Sequence, residues 1–100
     1  MSREVTEGTQ PQGIDEAIAY QLLCDPPAVS VAAVTVYDET DGGADVTAAV
    51  LAAGTATVSG GNVLLPLLQG LTDGHLYRVE VRYSDSVNTL EPYFLVRAER

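Results

Sequence analysis

The chain contains no tryptophan and no lysine, and among its 100 residues it has a single cysteine, a single histidine and a single phenylalanine. One cysteine cannot form an internal disulfide, so the fold has to be held together by packing alone. A protein without disulfides fits a reducing compartment such as the bacterial cytoplasm. We expect Cys24, which ends an apolar run, to be a small buried or half-buried residue rather than a nucleophile.

Long apolar runs are also missing, because no stretch reaches the roughly 18 residues that a membrane-spanning helix needs. Acidic residues, in contrast, are abundant, and 14 aspartate and glutamate residues against 5 arginines give a formal net charge of -9. Such a surface repels the phosphates of nucleic acids and anionic lipid heads, and it attracts a basic patch on a protein partner. We therefore expect protein partners, and neither a nucleic acid nor a membrane.

The first part of the chain differs in character from the rest. Residues 1–13 are polar and include Gly8, Pro11 and Gly13, so this segment cannot bury much surface by itself. We expect an extended N-terminal arm at 1–13, lying either on its own domain or on a neighbouring subunit. The length of the remainder, 14–100, predicts a single domain.

Strand patterns fill that domain. The clearest one runs from His75 to Tyr83, where Tyr77 and Val81 fall on one face and Arg78 falls on the other. The other predicted strands cover residues 18–23, 29–37, 45–51, 55–59, 63–68 and 89–98. Seven short strands separated by Gly-containing or Asp-containing turns indicate an all-β sandwich.

Two of these strands carry an ambiguity. The alanines in 45–51 would allow a helix, but Val46, Thr47 and Val50 are stiff at χ1 and favour a strand. Pro66 lies within the strand at 63–68, and proline donates no ladder hydrogen bond, so we expect an edge or a bulge there.

A short segment resembles a known structural corner. In residues 71–81, Leu71, Gly74 and Tyr77 match the E-to-F corner of fibronectin type III and related Ig-like domains. The resemblance implies that the Tyr77 hydroxyl hydrogen-bonds back to the corner backbone while its ring packs in the core of an antiparallel β-sandwich.

A wider resemblance covers most of the chain. It lies in the arm with Gln10 and Glu16, in Tyr20, in residues 34–38, 45–47, 70–74 and 77–81, and in the last strand with Glu91 and Phe94. In these features the chain resembles small Ig-like structural proteins of tailed bacteriophages. The resemblance implies a non-enzymatic virion protein, assembled in many copies in the host cytoplasm. Its expected role is to decorate or cement the head by binding capsid subunits, and the alternative is an adaptor on the tail or at the head-to-tail junction.

Catalysis finds little support in the residue pattern. His75 is the only histidine, and Ser84, Asp73 and Asp85 are the residues that could complete a triad with it. No G-x-S-x-G turn presents a serine nucleophile, so we expect His75 to cap a strand and the chain not to be an enzyme.

The acidic turn between the second and third predicted strands is the one candidate for a metal. Asp38, Glu39, Asp41 and Asp45 surround a Gly-Gly pair, and calcium binds several carboxylates on a flexible loop. The spacing does not match D-x-D-x-D-G, and acidic turns are usually only solvated. We expect neither a metal nor a cofactor.

The last strand and the arm supply the candidate partner-binding residues. Tyr93, Leu95 and Arg97 share one face of the final strand, and aromatic residues beside arginine are typical of contact centres. The arm adds Arg3, Glu4, Val5 and Gln10. The opposite orientation, with Tyr93 and Leu95 in the core, is left open by the sequence.

Two further possibilities remain. The apolar run at 63–68 has more leucines than one buried face requires, so some of them could meet a partner. A carbohydrate-binding or surface-binding Ig-like module is a more distant alternative, because such a module would tend to expose tryptophan for stacking on sugars.

Overall fold

The computed structural model describes residues 2–4 and 9–100, and it shows two β-sheets. The elements are β1 (Ser2–Glu4), β2 (Gln10–Gly13), β3 (Ile18–Leu22), β4 (Ser30–Asp38), a 3-10 turn (Glu39–Asp41), β5 (Ala44–Asp45), α1 (Thr47–Val50), β6 (Thr57–Ser59), β7 (Asn62–Leu68), β8 (Leu76–Ser84) and β9 (Thr89–Glu99). The prediction of an all-β sandwich is confirmed.

The larger sheet has the strand order β1-β9-β8-β4-β5, with β2 also paired to β9, and the smaller sheet has the order β3-β7-β6. In the strand lettering of Ig-like domains, strands B to G correspond in order to β3, β4, β6, β7, β8 and β9. The smaller sheet then holds strands B, E and D, and the larger sheet holds strands C, F and G. Ig-like sandwiches divide their strands in the same way. The first two strands differ, since they run parallel to β9 on the larger sheet.

The core lies between the sheets and is built from alternate residues of their strands. Its members with at most 1% exposure are Val36, Val63, Val79, Val81, Val96 and Ala98. On β9, Phe94 and Val96 point inward, so Tyr93 and Leu95 lie on the outer face. This pattern decides the question that the sequence left open.

The corner between β7 and β8 has the arrangement that the resemblance implied. The Tyr77 ring is 2% exposed, and its hydroxyl accepts a hydrogen bond from the Thr72 backbone N–H at 2.8 Å. Leu71 is buried beside it, and Gly74 has a φ of 81°, a left-handed value that a side chain would strain.

The N-terminal segment is more closely joined to the domain than the boundary at residue 14 implies. β2 pairs with β9 from Gln10↔Val96 to Gly13↔Glu99, and Gln12 is fully buried. We expected the arm to lie either on its own domain or on a neighbouring subunit, and the structure shows β2 on its own domain. Residues 10–13 are therefore part of the sandwich, whereas the sequence placed them in the arm.

The prediction of a strand at 45–51 was wrong for most of its length. β5 ends at Asp45, and Thr47–Val50 form one turn of α-helix. The Asp45 carboxylate accepts hydrogen bonds from the Thr47 N–H at 3.0 Å and from its hydroxyl at 2.7 Å. These local bonds stabilise the helical turn and outweigh the preference for a strand that the stiff side chains of Val46 and Thr47 confer.

Pro66 lies at an irregularity of the smaller sheet, as predicted. The register between β3 and β7 shifts from Ala19↔Leu67 to Gln21↔Leu64, so Tyr20 faces two residues of β7, one of which is Pro66. This two-against-one arrangement is a β-bulge, and it removes the need for a proline N–H.

Candidate protein-binding face

The outer face of the larger sheet gathers aromatic and charged side chains from three neighbouring strands. Tyr37 of β4 is paired with Arg78 of β8, and Tyr93 of β9 is paired with Glu80 of β8. Because successive residues of a strand point to opposite faces, the buried Val36, Val79 and Phe94 require these neighbours to face outward. We call Tyr37, Arg78 and Tyr93 the Tyr-Arg-Tyr cluster.

Arg78 is the centre of this cluster. Its Cζ lies 5.0 Å from the centre of the Tyr37 ring and 5.8 Å from the centre of the Tyr93 ring. Both distances are within the range of cation–π attraction. The Arg78 Nε is also 3.3 Å from a Glu39 carboxylate oxygen and 3.2 Å from a Glu80 carboxylate oxygen. Two rings and two carboxylates therefore hold the guanidinium in place before any partner arrives.

The Arg78 Nε itself is buried within the cluster and is not open to a partner. Although both carboxylates are close, the Arg78 Nε makes no hydrogen bond of good geometry with any described residue. The side chain remains 34% exposed. The exposed part of this planar cation can bind a carbonyl or carboxylate oxygen of a partner, and its fixed position lowers the entropic cost of doing so.

A shallow depression of about 50 Å³ adjoins the cluster. The small side chains of Ala33 and Thr35 leave room there, and Arg82 and Glu91 stand at its side with 3.7 Å between their charged groups. Around the Tyr-Arg-Tyr cluster there are three arginines and four acidic residues, one of which is paired with Tyr37: Arg78, Arg82, Arg97, Glu39, Asp45, Glu80 and Glu91. Three of the five arginines of a chain with a net charge of -9 are thus on this face, which reduces the repulsion of an acidic partner.

The other residues that the sequence predicted to bind a partner lie on β9 or on the strands β1 and β2 that pair with it, except for one residue that is not described. Leu95 is half-buried and Arg97 is exposed on the outer face of β9. Arg3 and Glu4 are in β1, whose backbone pairs with Pro92 and Tyr93 of β9. Gln10 begins β2 and is half-buried, and Val5 lies outside the described residues.

His75 and Ser84, which the sequence offered for a catalytic triad, are far apart in the fold. His75 precedes β8 and Ser84 ends it, so a strand of 9 residues, roughly 30 Å at about 3.3 Å per residue, lies between them. The partner of His75 is Asp38, with 2.7 Å between Nδ1 and a carboxylate oxygen. One carboxylate oxygen of Asp38 is thus engaged by His75.

Asp38 has a structural role as well. It is 5% exposed, and its second carboxylate oxygen accepts hydrogen bonds from the backbone N–H groups of Thr40 and Asp41. It therefore caps the 3-10 turn. Within residues 9–100, no group of three or more His, Cys, Asp or Glu side chains is placed to hold a metal ion.

Two exposed apolar areas lie outside the Tyr-Arg-Tyr cluster. On the outer face of the smaller sheet, Leu64 and Leu67 are 38% and 41% exposed, and they are the surplus leucines of the run at 63–68. Leu23, Val29 and Val87 are more exposed still and lie in or beside the β3–β4 and β8–β9 loops. The sequence analysis missed these three, although valine next to Ser86 and Asn88 in a polar turn was a visible signal.

The loops at this end are tied together by backbone contacts. The Ala28 N–H donates to the Gly61 carbonyl at 2.8 Å, and the Val29 N–H donates to the Ser84 carbonyl at 2.8 Å. The β3–β4 loop is thereby joined to the β6–β7 turn and to the end of β8. Cys24 lies in this region, half-buried, and burial raises the pKa of its thiol, which favours the unreactive protonated form.

Comparisons with protein-family models, with curated proteins and with solved structures found no match to this chain. None of the helices in the described residues is long and apolar enough to cross a membrane.

Proposed function

We propose that this chain is a non-catalytic structural protein of a bacteriophage particle that decorates the head by binding capsid subunits through the outer face of its larger sheet. The observation that carries the binding part of the proposal is the Tyr-Arg-Tyr cluster. Tyrosine and arginine are enriched among the residues that dominate binding energy at protein interfaces. The phage setting is supported by the sequence resemblance to small Ig-like virion proteins.

The physical argument for a binding role is preorganisation. Binding normally costs the entropy of fixing long side chains, and Arg78 is among the longest. Here the rings of Tyr37 and Tyr93 and the two nearby glutamates already restrict it. The half-buried Leu95 adds an apolar contact beside the cluster, and exposed Arg97 lies at its rim.

The setting is tested by locating the protein on particles. An antibody raised against the chain is applied to gradient-purified particles from the source culture, and the label is observed by immuno-electron microscopy. Label spread over the heads supports the proposal. Label confined to the neck or to one end of the tail replaces head decoration with the adaptor role. Unlabelled particles from a culture that expresses the protein overturn the virion assignment.

A further inference from the structure

An open strand edge and a groove with an uncharged lining lie side by side on the larger sheet. β5 pairs with Tyr37 and Asp38 of β4, and the chain then leaves the sheet to form α1. Among the strands described by the structure, none pairs with residues 31–35 of β4 on that side. The first half of β4 is therefore a sheet edge, and α1 and the segment that follows it, as far as Ala56, lie across the groove from it.

The backbone of β4 shows which groups this edge offers. The Val36 N–H donates to the Thr47 hydroxyl at 2.9 Å, and the Val36 carbonyl accepts from the Val46 N–H at 2.9 Å. Both groups of Val36 thus point away from β8. Because alternate residues of an antiparallel strand direct their hydrogen-bonding groups to the same side, Val34 presents its N–H and carbonyl at the open edge. Unpaired groups of this kind are a template for another strand.

The groove beside this edge has a volume of about 350 Å³ and an uncharged lining. Alanine and glycine predominate, and the space exists because these residues are small. The lining is formed by Val31, Ala32, Ala33, Val34, Thr47, Ala48, Leu51, Ala52, Gly54, Thr55, Ala56 and Pro66. Such a groove has room for the apolar side chains that alternate along one face of an added strand.

One end of the groove carries a negative charge. Thr47 lines the groove, and the Asp45 carboxylate is hydrogen-bonded to its N–H and hydroxyl. Among the described residues, no arginine or histidine forms an ion pair with Asp45. An uncharged groove with an unpaired carboxylate at its end complements an apolar strand with one basic terminal residue.

We propose that the open edge of β4 binds an extended polypeptide segment of a partner by β-strand addition, with small apolar side chains in the groove and a basic residue near Asp45. This site adjoins the Tyr-Arg-Tyr cluster, because Asp45 is paired with Tyr37. It uses the backbone of β4 and the groove instead of the outer face, so it gives the domain a second way to hold a partner. The proposal does not depend on the phage setting.

The test uses the intact chain and a pool of acetylated heptapeptides that carry valine, threonine or alanine at each position and one terminal lysine. The control pool has proline at the central position, which removes a ladder hydrogen bond. Backbone amide exchange is followed by NMR. We expect the Val34 amide to exchange rapidly in the free chain and about tenfold more slowly with the first pool, and to be unaffected by the second. Equal exchange with and without the first pool overturns the proposal.

Two neighbouring residues of α1 provide a matched pair of variants. Ala48 lines the groove and Ala49 does not, and both are exposed, so neither substitution disturbs the core. Ala48→Trp should weaken binding of the first pool at least tenfold, whereas Ala49→Trp should leave it within twofold. Asp45→Asn should abolish the preference for lysine over glutamine at the peptide terminus. Equal binding by the two tryptophan variants contradicts a site in the groove.

Tyr93→Ala separates this proposal from the proposed function. It should weaken attachment to particles while leaving peptide binding at β4 unchanged. Loss of peptide binding in Tyr93→Ala would place the peptide on the outer face and would overturn the edge site.

Discussion

The side-chain amide of Gln12 donates a hydrogen bond to the main-chain carbonyl of Leu68 at 2.7 Å and so links β2 of the larger sheet to β7 of the smaller one. The same amide donates to the Glu16 carbonyl at 3.0 Å, and the amide oxygen accepts from the Tyr20 hydroxyl at 2.9 Å. A fully buried glutamine is rare unless its polar atoms are satisfied, and here three contacts satisfy them.

Replacing Gln12 should therefore destabilise the sandwich. We expect Gln12→Leu to lower the free energy of unfolding by about 2 kcal/mol, because it leaves the buried Leu68 carbonyl and the Tyr20 hydroxyl without this partner. Gln10→Leu, on the same strand but half-buried, should cost less than about 0.5 kcal/mol. Urea unfolding of the two variants measures the difference. Equal midpoints would show that the Gln12 contacts do not join the sheets.

The corner tyrosine gives a second prediction. Tyr77→Phe should lower the free energy of unfolding by about 1 kcal/mol, because the Thr72 N–H loses its acceptor while the ring stays in the core. Tyr93→Phe is the control, since its hydroxyl makes no hydrogen bond to a described residue and the ring lies on the outer face. If the melting curve of Tyr77→Phe matches that of the unmodified chain, the corner hydrogen bond does not stabilise the fold.

Asp38 and Asp41 form a third comparison within one turn. Asp38 accepts hydrogen bonds from two backbone N–H groups and contacts His75, whereas Asp41 is exposed. We expect Asp38→Ala to cost about 2 kcal/mol and Asp41→Ala less than about 0.5 kcal/mol. Calcium titration of the same variants tests the other interpretation of this turn. If calcium raises the melting temperature of the unmodified chain and not that of Asp38→Ala, the turn binds metal.

The stability of the chain at low pH should depend on the carboxylates of Asp45 and Asp85. Hydrogen bonds from the Asn88 and Val87 N–H groups lower the pKa of Asp85, and those from Thr47 lower the pKa of Asp45, from an ordinary value of 3.8. These bonds exist in the folded chain, so the ionised forms stabilise it above pH 3.8. That contribution is lost as the pH falls through the lowered folded-state values. As the pH is lowered below 3.8, the double variant Asp45→Asn/Asp85→Asn should lose less stability than the unmodified chain. If the curves of melting temperature against pH are parallel for the two proteins, this prediction is contradicted.

The parts of the fold that follow from local patterns were predictable. β8 alternates between buried and outward residues over its whole length, and the corner at Leu71 and Tyr77 lies within a few residues of sequence. Period-two alternation and turn chemistry act over such short distances, so a single sequence carries them. Pro66 is a similar case, because its missing N–H restricts its place in any sheet.

The features that depend on distant partners were not predictable. Gln12 is polar and lies between Pro11 and Gly13, so nothing nearby indicates that it is buried; its partner Leu68 is 56 residues away. The Tyr-Arg-Tyr cluster likewise requires the register that brings Tyr37 beside Arg78. Tyr93 was recognised from its own strand, whereas Tyr37 was not, because its position on the outer face depends on pairing with β8.

The most direct test of the account measures which surface attaches the protein to the phage particles that the proposed function assigns it to. Particles stripped of the chain are incubated with each of three purified double variants, and bound copies per particle are counted against concentration. The variants are Tyr93→Ala/Leu95→Ser on the outer face, Leu64→Ser/Leu67→Ser on the smaller sheet and Leu23→Ser/Val87→Ser in the loops. We predict that the first weakens binding at least about tenfold, as expected for a contact centre, and that the other two remain within about twofold of the unmodified chain. If the first variant binds normally and either of the others does not, the outer face of the larger sheet is not the contact surface.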